Sequence, residues 1–486
     1  MPKHYLACDF GAESGRLMLG TLSGEGILSL EELHRFPNIP IESADCLSWN
    51  IDALWGEVQK GLKIAADRNL EIASISVDGW GVDYVLLDEN GEIISPTYCY
   101  RDKRNQRGVD NIFSQVPWEE VYAETGIQFL NFNTLYQLGA ETSERLEKAK
   151  TIVPLGDAFN YLLSGEARTE ISMASTTSMY NPKTRQWSDK LLKAAKMQPN
   201  QFAPFVESGT VLGSLKEEIA QASGLPSLKV VATCSHDTGA AVAAVPADGE
   251  NWAYLSSGTW SLIGVEIDQP MISDQSREKN YTHEIGYGNT IRFLRNIIGL
   301  WIVQECRRNW EKEGTAYDYD TLTKLAIEAE PFRSLINPDD QRFFSPESML
   351  DAISGYCEET NQPVPDSPGA FVRCALESLA LVYRSHLAEA EDLTERKIDK
   401  LHIVGGGSKN TLLNQLAANA TGREVIAGPT EATALGNIAI QAIALGHISD
   451  LSAARQIVRK SMDVDSYQPQ DSDLWNAAYD RFCKLP

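Results

Sequence analysis

An α/β chain built from two halves that begin alike is what this sequence predicts, and three observations predict it. Short apolar runs bounded by Gly, Asp and Ser alternate with segments whose apolar residues recur at helical spacing. With 486 residues, the chain is longer than a single core usually serves, which points to two or three domains. The opening pattern of strand, small hydroxyl-and-glycine loop and strand also comes back after residue 250.

Taken in order, Tyr5 to Asp9 reads as a buried strand, Gly11 to Gly15 as a tight loop of small residues, and Arg16 to Leu22 as a second strand. Ile51 to Ala66 places Leu54, Val58, Leu62 and Ala65 on one helical face, and Ile72 to Val77 is apolar enough for a buried strand. Val82 to Leu87 and Glu92 to Ser95 flank Asp88-Glu89-Asn90-Gly91, where Asn-Gly predicts the positive backbone angles of a hairpin turn. Lys229 to Cys234 is a further strand that leads into an Ala-rich buried helix, Gly239 to Val245. Pro246-Ala247-Asp248-Gly249 is the best hinge, giving domains of residues 1–245 and 246–486.

Beyond the hinge, Trp252 to Leu255, Ser256-Ser257-Gly258-Thr259 and Trp260 to Val265 repeat the opening. Leu401 to Val404, Gly405 to Ser408, Thr411 to Ala420 and Glu424 to Ala427 read as strand, loop, helix and strand, a βαβ unit.

Composition narrows the function. Lys and Arg number 43 against 67 Asp and Glu, a net charge of −24. Such a surface lacks the clustered positive field that nucleic acid or an anionic membrane requires. No apolar run approaches the length of a membrane-spanning helix. The eight cysteines are scattered, without C-x-x-C pairs or histidines at metal-ligand spacing, so a reduced, cytoplasmic protein without structural zinc is expected.

The phosphate-binding signatures G-x-x-x-x-G-K-[ST] and G-x-G-x-x-G are both missing. Three Gly-bearing loops at strand ends remain, Gly11 to Gly15, Ser256 to Thr259 and Gly405 to Gly407. Each alone reads as an ordinary turn; together they point to phosphate, because glycine lets main-chain N–H groups come close to its oxygens. Asp9 beside the first loop reads either as a turn residue or as a carboxylate that holds hydrated Mg²⁺, and Arg16 as a surface or a phosphate-neutralising cation. Asp237, in Ser235-His236-Asp237-Thr238, reads as a helix cap or as a base for an alcohol proton. Val77 to Asp83 suits either a polyol site or a turn around a core Trp. Asn296, Leu300 and Gln304 share a face if their stretch is one helix.

These motifs, with Tyr100-Arg101-Asp102, Gly126-Ile127-Gln128-Phe129 and Asn133 to Gln137, resemble the FGGY carbohydrate kinases along nearly the whole chain. The resemblance implies two ribonuclease-H-like domains, of the type found in actin and sugar kinases, with the active site in the cleft between them. It implies transfer of the γ-phosphoryl of ATP to a ketose hydroxyl, with Asp237 as general base. Ala12, Glu13, Ser14, Gly15, Arg16, Thr259, Gln304 and Gly406 would contact ATP; Gly81, His236, Asp237, Thr238 and Asn296 would hold the sugar; Asp9 would position Mg²⁺. Glu13 departs from the small residue common at its place and adds negative charge to the first loop. Another ketose, or a non-catalytic sugar-responsive protein on the same scaffold, are the alternatives. Oligomeric state is left open.

Overall fold

Apolar β-rich runs account for the first sheet in the computed structural model, which describes residues 1–226 and 228–486. Strands β1 (Lys3–Phe10), β2 (Ser14–Leu22) and β3 (Leu28–Pro37) form an antiparallel meander. Helix α1 (Ile51–Ala66) follows, started by the Asn50 side chain, which accepts from the Ala53 N–H at 3.1 Å, and buries Leu54, Val58, Leu62 and Ala65. The chain then returns as β4 (Ile72–Gly79), parallel to β1. Helix α2 (Leu155–Ser164), β5 (Thr210–Ser214), β6 (Lys229–Ala232) and α3 (Asp237–Ala243) complete the series. The sheet order is β5-β6-β4-β1-β2-β3.

The second sheet repeats this plan. Strands β7 (Trp252–Ser257) and β8 (Trp260–Ile267) form the opening hairpin, followed by β9 (Ile291–Ile298) and helix α4 (Trp301–Lys312). Strand β10 (Lys400–Val404) lies parallel to β7, and helix α5 (Thr411–Thr421) connects it to β11 (Glu424–Ala427), parallel to β10. With β12 (Asp465–Tyr467) at one edge and the strand Thr282–Ile285 at the other, next to β9, the seven-stranded order is completed by β9-β8-β7-β10-β11-β12. Both sheets open with a hairpin, as the repeated opening predicted, and both continue through parallel strands to an antiparallel edge strand, which in the first sheet precedes its parallel neighbour in the chain.

Two compact units result, and neither is one continuous stretch. The first is Met1–Pro246 with Glu266–Phe293 and Ala432–Ser461; the second is Ala247–Val265 with Leu294–Glu431 and Met462–Pro486. Within the first unit, helix α6 (Ala432–Ala444) packs on α3 so closely that a Cβ on Gly436 would lie 1.8 Å from the Ala240 carbonyl oxygen. Asn437 and Gln441, one turn apart on α6, form a buried polar ladder: Gln441 Nε2 donates to the Leu6 carbonyl at 2.8 Å and to Asn437 Oδ1 at 2.6 Å, while Gln441 Oε1 accepts from Ser74 Oγ at 2.6 Å.

Two elements differ from expectation. The Asn90-Gly91 turn forms, with Gly91 at φ +78° and the Asp88 carboxylate accepting from the N–H groups of Asn90 and Glu92, but Asn90 is not left-handed. Strand Tyr84–Leu87 takes its main partner from Thr151–Pro154, leaving only a single bridge from Leu87 to Ile93. Asn296 lies in β9 and Gln304 in α4, so their spacing of eight spans a strand-to-helix junction and they share no helical face. All eight cysteines are free thiols, and no helix among the described residues is long and apolar enough to cross a membrane.

Candidate active site

Cross-strand register gathers the charges of the first unit. Asp9 stands opposite Arg16 on β2 and beside Asp78 on β4. Arg16 donates to Asp9 Oδ2 through Nε at 3.0 Å and Nη2 at 2.8 Å, a charge-assisted pair that keeps both side chains in place. A single bridge from Gly79 to His236, with the Gly79 N–H donating to the Ser235 carbonyl at 2.9 Å, sets the start of α3 beside the end of β4. Asp237 thereby joins Asp9 and Asp78.

These carboxylates feel one another. Burial pushes the Asp78 carboxyl well above the usual range, with the charge of Asp9 adding to it. Its Oδ2 accepts from Asn437 Nδ2 at 2.5 Å, while the buried Oδ1 has no hydrogen-bond partner. Asp237 is raised as well, first by burial and then, against His236, by Asp9. Its side chain keeps 30% exposure, so a ligand can reach it.

Asp237 is not the helix cap that the sequence allowed. His236 holds that position, and Asp237 is the first helical residue, its carboxylate accepting from the Thr238 N–H at 2.6 Å and hydroxyl at 3.2 Å. Beneath this segment, buried Glu170 accepts from the Ser235 N–H at 3.0 Å and from the Ser172 hydroxyl, and Asp157 accepts from Ser235 Oγ at 2.6 Å. The segment is fixed from below, and of its side chains Asp237 is the one that keeps substantial exposure.

The first loop is a tight one, closed by the Gly11 N–H donating to the Ser14 carbonyl at 2.9 Å. Ala12 and Ser14 are half-buried, and Glu13 points to solvent. Gly15 serves packing: a Cβ there would sit 2.3 Å from the Phe36 ring. In the neighbouring loop Gly81 leaves no room for a side chain, since its Cβ would meet Thr176 Oγ1 at 2.9 Å. Val82 takes φ +71°, costly for a β-branched residue. Its carbonyl accepts from Thr134 Oγ1 at 2.6 Å and Gln137 Nε2 at 3.1 Å, which holds it there. Trp80 and Asp83 are core residues bonded to each other at 2.8 Å, the turn-around-a-Trp reading of this stretch.

In the second unit, the Gly258-Thr259 turn is clamped by the β9–α4 junction. The N–H groups of Gly299 and Trp301 each donate to the Thr259 carbonyl at 3.1 Å, and Thr259 Oγ1 donates to Gln304 Oε1 at 3.2 Å. Gly405 and Gly407 press on Ser257: Gly405 has φ +84°, and a Cβ on Gly407 would lie 2.0 Å from Ser257 Oγ. Only Gly406 of the three faces open space.

Comparison with known proteins fits this architecture. Residues 4–244 match the N-terminal domain, and residues 253–445 the C-terminal domain, of the FGGY family of carbohydrate kinases. The chain belongs to that family. It is 46% identical over 485 residues to a rhamnulokinase of Bacteroides thetaiotaomicron, covering 99% of both chains. It is 42% identical to a rhamnulokinase of Bacillus subtilis, covering 96% of each. A xylulose kinase structure from Lactobacillus acidophilus superposes with a TM-score of 0.82 at 16% identity, covering 99% of this chain and 97% of that one. A gluconate kinase from the same organism gives 0.81 at 17%, covering 100% and 98%.

As an FGGY kinase the protein is an ATP-dependent carbohydrate kinase, as the motifs implied. Sequence reasoning singled out Asp9, Arg16, His236, Asp237 and Thr238, and the fold brings them together in the first unit. Thr259 and Gln304 meet in the second, where Gly406 stands on a neighbouring loop and Asn296 is half-buried in β9. Asn437, Glu284 and Arg292 were not singled out, and Asp78 only as part of the stretch Val77 to Asp83. Only Asp78 left a signal, since it ends an apolar strand just as Asp9 does.

Proposed function

We propose that this kinase transfers the γ-phosphoryl group of ATP to the 1-hydroxyl of L-rhamnulose, giving L-rhamnulose 1-phosphate and ADP in L-rhamnose breakdown. The observation that carries the reading is the near-full-length likeness to rhamnulokinases at more than 40% identity. Asp237 accepts the hydroxyl proton as that oxygen attacks in line. Its raised pKa is the shift a general base needs to keep some proton affinity near neutral pH. Gly81, His236, Thr238 and Asn296 hold the ketose; Ala12, Glu13, Ser14, Gly15, Arg16, Thr259, Gln304 and Gly406 contact ATP.

Mg²⁺ suits the residues present. The buried Oδ1 of Asp78 has no hydrogen-bond partner and lies on the strand beside Asp9, two carboxyl groups that a cation would favour in their ionised form. Among the described residues no three His, Cys, Asp or Glu side chains converge as a metal cage. Asp9 would therefore hold a largely hydrated ion, directly or through water, as Mg²⁺ prefers. When bound, the ion neutralises phosphate charge. The protein's own part is positioning: a fixed His236–Thr238 segment, a tight first loop and a base aimed at the hydroxyl.

The test is ADP release coupled to a dehydrogenase, with ATP, Mg²⁺ and L-rhamnulose, L-fuculose, L-ribulose, D-xylulose or glycerol, against a blank without sugar. L-Rhamnulose is expected to give the highest kcat/KM. Preference for another ketose would overturn the substrate, and no sugar-dependent ADP from folded protein would overturn the kinase reading of this site.

A further inference from the structure

Behind His236 lies a buried ion pair that the reaction as described does not use. Arg292, at the start of β9, is fully buried; its Nε donates to the Ile285 carbonyl at 3.2 Å. Its Nη2 lies 3.0 Å from Glu284 Oε2 and 2.9 Å from His236 Nδ1. A guanidinium has only donors and keeps its proton. A 2.9 Å contact between two nitrogens is then a hydrogen bond only if Nδ1 offers a lone pair. Were Nδ1 protonated, two N–H groups would face each other in a buried site.

Glu284 Oε2 is also 3.3 Å from Nδ1 and would draw a proton there. Arg292 is nearer, is held by its Nε hydrogen bond to the Ile285 carbonyl, and cannot yield its proton, so its demand prevails. The His236 ring therefore carries its hydrogen on Nε2, the nitrogen on the Asp237 side, 3.4 Å from Oδ1.

We propose that Arg292 is a positioning residue that locks His236 into its Nε2–H tautomer, so that His236 presents a donor, never an acceptor, beside Asp237. A hydroxyl meeting His236 must then accept from it with a lone pair, which leaves its own hydrogen free to point at the Asp237 carboxylate. One fixed donor thus selects the hydroxyl rotamer that the base needs. The proposal rests on the reading above that His236 touches the ketose.

Nitrogen-15 NMR of histidine-labelled protein reads the tautomer directly, with the His236 signals assigned by their loss in His236→Gln. The whole chain is expected to show neutral His236 protonated on Nε2. In Arg292→Met the stranded Glu284 should pull the proton to Nδ1, and KM for the ketose should rise roughly tenfold or more while KM for ATP stays within about twofold. Because that variant leaves a buried carboxylate unpaired, Arg292→Met with Glu284→Gln is measured alongside. The Gln amide can donate to Nδ1, so this double variant should restore the Nε2–H tautomer and most of the ketose affinity. Wild-type His236 protonated on Nδ1, or a double variant without Nε2–H, would overturn the proposal. A tautomer that switches while ketose KM does not move would overturn the positioning role and fault the placement of His236 on the sugar. Preference for a different ketose with the tautomer pattern intact would fault only the substrate.

Discussion

Asp9, Asp78 and Asp237 repel one another, and each is restrained differently: Asp9 by the Arg16 fork, Asp78 by Asn437, Asp237 by the backbone and hydroxyl of Thr238. Asp237 has a raised pKa and is reachable, whereas Asp78 is sealed from solvent. Asp237→Asn is expected to lower kcat by about 10²- to 10⁴-fold while calorimetry shows ketose binding largely unchanged; near-normal turnover would remove Asp237 from the base role. Asp157, under the same segment, supplies a stability test. Burial, and then the charge of Glu170, push its carboxyl up to about 8. The folded chain thus holds a proton that the unfolded chain releases near pH 4, so the Asp157 contribution to stability falls as pH rises from about 4 to about 8. Scanning calorimetry should find that Tm declines less across that window in Asp157→Asn than in the wild type. Asp9 and Asp237 were legible in the sequence because each interrupts an apolar run beside small residues. Arg292 and Asn437 were not, because the site residues they touch belong to other segments of the chain: Arg292 is 56 positions from His236, and Asn437 is 359 from Asp78.

Among the elements, the glycine loops divide by what each glycine is for. Gly407 is needed where it packs on Ser257, whereas Gly406 looks onto open space. Gly407→Ala should therefore cost about 1–3 kcal/mol in denaturant unfolding, from overpacking. Gly406→Leu should leave Tm nearly unchanged and raise KM for ATP with little effect on the ketose; an unaltered KM for ATP would take Gly406 out of nucleotide binding. Strands and the long first helix were readable because apolar periodicity follows burial on a face, and Ile51 to Ala66 emerges with the predicted ends. The Val82–Ser95 hairpin was misread because local turn chemistry reports the turn and not the strand that finally pairs. The amide spacing at Asn296 and Gln304 misled because a period of four continues across a strand-to-helix junction when both sides are apolar.

For the whole molecule, the decisive fact is that the first unit borrows Glu266–Phe293 and Ala432–Ser461. A fragment of residues 1–246 lacks Arg292 and Glu284 behind His236, Asn437 over Asp78, and the helix seated on α3. Such a fragment is expected to lack native packing, with few dispersed amide signals in an NMR correlation spectrum; a well-dispersed spectrum would show that the returning segments are dispensable. The α/β class and the doubled plan were legible because length and repetition survive without any knowledge of contacts. The discontinuity was not, since no composition shift marks the places where the chain crosses over. It also sets a clock on biosynthesis. The ribosome must add a further 215 residues after Pro246 before Ser461 emerges, about 10–40 s at ordinary elongation rates. Throughout that interval the Leu6, Ser74 and Asp78 groups that α6 will satisfy remain without it, so the nascent chain depends on delay, or on a chaperone, more than a protein of sequential domains does.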